Sequence, residues 1–282
     1  MVGAGASLVR QKLHCGGADQ LFPAADTADW KILNTIPQAS LVRGDVRVWC
    51  ARLSEDDQTV ERAYLKLSAA ERQRAAQFWV PSARAAFVVS RGVLRALLAG
   101  LCGIPPEDVE FGYGPNGKPF LIGGARALHF NVSHSGDVAA YGVSVDGELG
   151  VDVEMHRPMP DMEPIARRFF SATEYEDLLR IPETERAAAF FDCWVRKEAY
   201  IKALGGGLSI PLDSFWVSLA PGQPAALLGV TDRSEEPREW LLEAFRPAPE
   251  YSGAVALRAC GCSLRVHEIR PAIEMLCEPI RI

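Results

Sequence analysis

The sequence predicts a mixed α/β protein built from two halves that meet near residue 148. Three observations predict it. β-Branched and aromatic residues crowd 45–53 and recur through 128–154, as strands require. Apolar residues fall at helical spacing over about 84–101 and 184–204. From Phe215 to Ile269 the chain returns to strand-like composition, punctuated by Pro and Gly. At 282 residues, 48% hydrophobic and 23% charged, the chain can bury a sizeable core in either half.

Taken in order, residues 1–44 show no sustained period and read as an N-terminal extension. Residues 45–148 read as an N-terminal lobe and 149–282 as a C-terminal lobe. "DVRVWCARL" (45–53) opens the first lobe as a strand. Ser68 is an N-cap with Glu71 three residues on, the capping-box spacing. The 84–101 helix carries Phe87, Val88, Leu94, Leu97, Leu98 and Leu101. "YGPNGKPF" (113–120) is a turn, since Gly114, Pro115, Asn116, Gly117 and Pro119 leave no regular alternative. In 128–154 we expect a strand to Val132, a polar Ser-His-Ser-Gly corner, and two strands joined as a hairpin at Asp146-Gly147. Helices follow over 163–180 and 184–204, the second stopped by Gly205, Gly206 and Gly207.

Composition excludes several classes. A net charge of −6 argues against a general nucleic-acid binder. No apolar run reaches the roughly 18 residues of a bilayer span, and Arg10, Lys12 and His14 interrupt the start, so we expect a cytoplasmic protein with no membrane contact. The seven cysteines show neither zinc spacing nor a disulfide framework. Arg72, Arg74, Arg84, Arg91 and Arg95 run without an intervening acid. Such a strip suits a small polyanion such as a nucleotide, or is simply a solvated helix face.

"LGVDVE" (149–154) sends Leu149, Val151 and Val153 to one side of a strand and Asp152 and Glu154 to the other. Two acids so placed repel unless solvated or sharing a cation, and hard oxygen ligands suit Mg²⁺. On the 184–204 helix Trp194, Glu198 and Lys202 stand four apart and share a face. Glu198 can complete a three-carboxylate set, with Lys202 one turn on to meet a phosphate. An ordinary surface Glu–Lys pair leaves the aromatic neighbours and the triple glycine unexplained. In "NVSHSG" (131–136), adjacent Ser133 and His134 point apart and cannot form a nucleophile–base pair. They fit better as phosphate donors, with Lys118 of the Gly-Lys-Pro turn serving the same anion. Neither a P-loop nor a dinucleotide-binding glycine motif is present.

"GKPF", "FNVSHSG", "LGVDVE", "FFSATEYEDLL" and "WVRKEAYIKALGGGLSIPLDSF" stand in the order found in the Sfp-type 4′-phosphopantetheinyl transferases, and the chain resembles that family from about 64 to 218. The resemblance implies a pseudo-twofold monomer of two similar lobes with the active site in the cleft between them. It implies transfer of the phosphopantetheine arm of coenzyme A to a serine of an apo acyl or peptidyl carrier protein, releasing adenosine 3′,5′-bisphosphate. Matched by motif, Asp152, Glu154 and Glu198 resemble ligands for Mg²⁺, with Mn²⁺ as the alternative ion, and Glu198 the base for the carrier serine. Lys202 resembles the pyrophosphate contact. Lys118 and Pro119 resemble the turn beside the adenine nucleotide, and Ser133 and His134 contacts to its phosphates. Arg74 falls where a basic residue meets the 3′-phosphate. A basic residue common near the start of the 84–101 helix is Ala86 here, and the resemblance leaves Arg84, two places before, as the candidate to take its place.

Two rivals remain: a coenzyme A-binding regulator without transfer, and a Mg²⁺-dependent phosphohydrolase that needs no carrier. A complete acid set argues against the first, and a carrier-free assay separates the second. The segment 155–170, with His156, Arg157, Arg167 and Arg168 among apolar residues, is expected to meet the acidic carrier.

Overall fold

The computed structural model describes residues 41–53, 56–123, 128–233, 236–259, 261–267 and 269–277, so nearly all of the expected extension lies outside them. Two series of elements follow one another. The first is β1 (Asp45–Arg52), the short helices α1 (Asp57–Leu65) and α2 (Ala69–Ala75), the long α3 (Pro81–Cys102), a hairpin of β2 (Glu110–Tyr113) and β3 (Pro119–Ile122), and the antiparallel pair β4 (His129–Ser135) and β5 (Val138–Ser144). The second is β6 (Leu149–Met155), α4 (Met162–Phe169), α5 (Ala172–Arg180), the long α6 (Glu183–Leu204), a hairpin of β7 (Phe215–Val217) and β8 (Leu227–Val230), and the antiparallel pair β9 (Leu241–Phe245) and β10 (Tyr251–Leu257). In the first sheet the strands lie β1-β5-β4, and in the second β6-β10-β9, so matching strands hold matching places. The pseudo-twofold α/β architecture is therefore present in the topology itself.

The repeat reaches single residues. Ser68 with Glu71, and Ser171 with Glu174, each form a reciprocal capping box at the second short helix. Both glutamates are buried, and each takes a cation from the long helix that follows. Glu71 accepts from Arg91 at 2.6 Å and from Arg95, while Glu174 accepts from Lys197 at 2.7 Å. Both long helices have 22 residues and end on a left-handed glycine, Gly103 (φ 69°) and Gly205 (φ 71°). Glycine carries no Cβ to clash there, so the last turn closes without strain.

The layers run helix, sheet, sheet, helix. Trp49, Ala139, Tyr141 and Val143 of the first sheet pack under α3 with Val89, Val93 and Leu97. The opposite face, with Val46, Val48 and Val138, meets Leu149, Val151, Val153 and Val255 of the second sheet. Beyond that sheet, Ala254 and Ala256 pack against Phe190, Cys193, Ala199 and Ala203 of α6. The last described segment returns to the first sheet: β11 (Ser263–Val266) and β12 (Arg270–Pro271) pair parallel to β1, and α7 (Ala272–Cys277) joins the core under α3.

Several expectations change. The helix expected over 163–180 is two, α4 and α5, because Ser171 caps a new start. Asp146-Gly147 joins no hairpin: β5 pairs β1 and β4, whereas β6 crosses to pair β10. The tight turn is Gly136-Asp137 between β4 and β5, and Asp146 instead accepts from the Gly44 N–H at 2.8 Å. β4 does not stop at Val132 but continues through Ser135. α3 starts earlier, with Pro81 at its first position, where proline's missing N–H costs nothing. By length and composition α3 also reaches the size of a membrane span, contrary to the sequence reading; in this fold it lies on the first sheet with Val88 to Ala99 largely buried.

Candidate active site

β4 and β6 are edge strands of different sheets, and polar side chains stitch them together. Asn131 accepts from the Val151 N–H at 2.9 Å. Ser133 donates to Asp152 Oδ1 at 2.7 Å, and Ser135 donates to Glu154 Oε2 at 2.7 Å while accepting from the Met155 N–H. Positions 131, 133 and 135 share one side of the strand, as a period of two dictates. His134 alternates to the other side and is exposed, so the structure parts it from Ser133. The Ser133 hydroxyl is engaged with Asp152 and Lys202, and His134 sits on the side of β4 that carries Phe130 and Val132.

α6 lies unusually close over β6, and Gly150 is the reason. A Cβ there would fall 2.0 Å from the Ala199 carbonyl oxygen and 2.4 Å from the Ala203 nitrogen. The close approach carries Glu198 and Lys202 to the acids of β6. Lys202 Nζ donates to Asp152 Oδ1 at 2.6 Å, to Ser133 Oγ at 3.0 Å and to the Val151 carbonyl at 3.3 Å. Asp152 is buried, and its Oδ2 meets no donor among the described residues. Burial pushes the Asp152 carboxyl above its ordinary range, against the pull of Lys202. Glu198 has no hydrogen bond or ion pair among the described residues, and burial, reinforced by the Asp152 charge, pushes its pKa up to about 7. Glu154 is held by Ser135 and by Arg157, whose Nη1 lies 3.2 Å away.

These groups answer the question of a cation. Among the described residues no three Asp, Glu, His or Cys side chains already converge as a ligand set. Yet a buried carboxylate oxygen without a donor, beside a second acid that burial and its neighbour's charge keep protonated to about pH 7, is a crowded acid pair whose ionised form one divalent ion would stabilise in place of the proton. The residues fit a hard cation, with Lys202 as its competitor for Asp152.

The remaining candidates separate. Lys118, with Pro119 opening β3, stands by the C-terminal end of α6, and its ammonium meets Glu148 at 2.6 Å, the Leu149 carbonyl at 3.0 Å and the Ala203 carbonyl at 3.4 Å. In the arginine strip, Arg91 and Arg95 are clamped on Glu71, the acid just before the strip, and Arg72 stands over the Tyr64 ring. Arg74 and Arg84 are exposed at the α2–α3 corner, Arg74 over the Phe87 ring, and neither has a carboxylate partner among the described residues. Lys197 is not at the site: it is fully buried against Glu174 and the Phe215 carbonyl. Sequence reasoning missed Gly150 and Asn131, and it offered Ser135 as a phosphate donor where the structure has it donating to Glu154. The period of two in "NVSHS", which puts Asn131 on the side of Ser133 and Ser135, was the signal for the second.

A family model described as "4′-phosphopantetheinyl transferase superfamily" matches residues 148–256, and one described as "4′-phosphopantetheinyl transferase, N-terminal" matches 54–145. The 4′-phosphopantetheinyl transferase HetI of Nostoc sp. (strain PCC 7120) is 34% identical over 229 residues, covering 80% of this chain and 92% of that protein. The transferase psf-1 of Bacillus pumilus is 38% identical over 165 residues, 58% of this chain and 67% of its own. Sfp of Bacillus subtilis (strain 168) is 35% identical over 162 residues, 56% of this chain and 69% of its own. Among solved structures, the holo-[acyl-carrier-protein] synthase of Thermotoga maritima overlaps 40% of this chain and 62% of its own, at 20% identity; a TM-score of 0.32 is too loose to bear on the fold.

Proposed function

The chain belongs to the 4′-phosphopantetheinyl transferase family, and we propose from that membership that it transfers the 4′-phosphopantetheine arm of coenzyme A to a serine of an apo acyl or peptidyl carrier protein. Adenosine 3′,5′-bisphosphate is the other product. The observation that carries the assignment of the site is the seating of α6 on Gly150, which brings Glu198 and Lys202 against Asp152 and Glu154.

Asp152, Glu154 and Glu198 would hold Mg²⁺ or Mn²⁺. Bound there, the ion would neutralise charge on the pyrophosphate. Glu198 stands as the base: the carrier serine Oγ forms its bond to the β-phosphorus, its proton passes to the Glu198 carboxylate, and the bond from that phosphorus to the bridging oxygen breaks, leaving the electron pair on the departing bisphosphate. Lys202, one turn on from Glu198 and held beside Asp152, would supply the positive charge that meets the pyrophosphate oxygens. Arg74 and Arg84, exposed without acid partners, are suited to the 3′-phosphate, and His134 to a phosphate oxygen on its own side of β4. Ser133 serves by holding Asp152 and Lys202 in register.

For the carrier, Arg157 stands half-exposed over the Phe191 ring beside Glu154, and α4 exposes Arg167 and Arg168. These are the charges that would steer an acidic partner. Incubation with coenzyme A, Mg²⁺ and a panel of apo carriers, followed by intact-mass measurement, tests the reading. Loss of coenzyme A without any carrier present would favour a phosphohydrolase instead.

A further inference from the structure

The "PNGK" turn of the first lobe grips the end of the helix that carries Glu198 and Lys202. Asn116 Nδ2 donates to the Gly205 carbonyl at 2.9 Å, and Lys118 donates to the Ala203 carbonyl at 3.4 Å. The same ammonium ties Glu148 and the Leu149 carbonyl at the start of β6. An ammonium has three N–H donors, and all three have acceptors here. The turn is itself closed, with Gly114 N–H on the Lys118 carbonyl at 2.9 Å, Gly117 N–H on the Gly114 carbonyl at 2.9 Å, and Gly117 at φ 79°.

We infer that Asn116 and Lys118 are positioning residues that fix α6 along its own axis. The need for them follows from Gly150. A glycine lets the helix approach β6 closely, yet offers no side chain to stop it sliding along the strand. Lys202 lies one residue before Ala203 and three before Gly205, so a shift of the last turn moves its ammonium directly off Asp152. Donors aimed at the last carbonyls also meet the negative end of the helix dipole, where a cation is favoured. Each lysine has a carboxylate at 2.6 Å, Glu148 for Lys118 and Asp152 for Lys202, but Lys118 also holds two backbone carbonyls, one of them on α6, where Lys202 holds one on β6.

The inference rests on the transferase reading for its kinetic arm and not for its structural arm. In Asn116→Ala, and equally in the near-isosteric Asn116→Asp, which has no donor, kcat should fall about threefold to tenfold, the fold-change that one lost hydrogen bond of about 1 kcal/mol allows. KM for coenzyme A should stay within about twofold, and Asn116→Gln, which keeps a donor, should recover part of the loss. Lys118→Met should follow the same split. Amide hydrogen exchange over 200–206 should quicken in Asn116→Ala, Asn116→Asp and Lys118→Met whether or not any carrier is modified. A rise in KM for coenzyme A at constant kcat in Lys118→Met would make that lysine a ligand contact and overturn the proposal. Unchanged exchange at the end of α6 would overturn it too. If the wild-type chain modifies no carrier, the transferase reading fails while the exchange measurement still decides the latch.

Discussion

Lys202 satisfies only half of Asp152: its ammonium lies 2.6 Å from Oδ1, and the buried Oδ2 of the same carboxylate meets no donor among the described residues. In the proposed metal site, Lys202 would then hold one oxygen of Asp152 and leave the other for a divalent ion. A divalent ion that binds the folded chain and not the unfolded one must raise its stability. Mg²⁺ should therefore raise the melting temperature of the wild-type protein in a saturable way, and Asp152→Asn should abolish that rise. A full Mg²⁺ response in Asp152→Asn would move the cation elsewhere.

Glu198 gives the metal-free protein a particular pH dependence. Its carboxyl is raised from an ordinary 4.5 to about 7 in the folded state, by burial first and the Asp152 charge second. Between those values the folded chain keeps a proton that the unfolded chain has released, so stability must fall as pH rises through that window. The contribution is fully present below about 4.5 and lost above about 7. Melting curves in EDTA should show the wild type losing ground to Glu198→Gln as pH climbs from 5 to 8. A difference independent of pH would mean that Glu198 is ionised and comfortable.

Gly150→Ala tests the packing that assembles the site. The new methyl would meet the Ala199 carbonyl at 2.0 Å, backbone that cannot swing aside. Overpacking of this kind costs about 1–3 kcal/mol, and α6 must lift away from β6 to accommodate it. Denaturant unfolding should show that loss, and the folded fraction should transfer with a markedly lower kcat. Wild-type kinetics in a stable Gly150→Ala protein would mean that the close approach is unnecessary.

The acids were legible because their geometry is local. A strand alternates every two residues and a helix turns every 3.6, so Asp152 with Glu154, and Glu198 with Lys202, could be grouped from spacing alone. The lobe topology was less legible, because strand pairing is a long-range choice. Nothing near Asp146-Gly147 announces that β6 leaves β5 for β10. Charge was the least legible. Arg91 and Arg95 looked available for an anion until folding brought Glu71 against them. Lys197, adjacent to Glu198 in the chain, turned inward to Glu174 for the same reason.

Lys197→Met separates fold from chemistry on that helix. Glu174 would keep its bonds from the Ser171 and Val217 N–H groups but lose its counter-charge in a site where neither side chain is exposed to solvent by more than 2%. Breaking a buried pair from one side costs about 3–5 kcal/mol. Chemical denaturation should show a loss of that size, while KM values of the folded protein stay near wild type. A selective loss of coenzyme A affinity with intact stability would return Lys197 to the active site.

The most direct measurement is the intact mass of an apo carrier protein after incubation with coenzyme A and a Mg²⁺ titration, for wild type beside Glu198→Gln. The wild type should add one phosphopantetheinyl group to the carrier serine in a Mg²⁺-dependent manner. Glu198→Gln keeps the shape and loses the base, a change typically worth about 10²–10⁴-fold in rate, and should leave most of the carrier unmodified over the same time even at saturating Mg²⁺. Carrier modified at wild-type rates by Glu198→Gln would contradict the assignment of transfer to the acids and lysine gathered where α6 rests on β6.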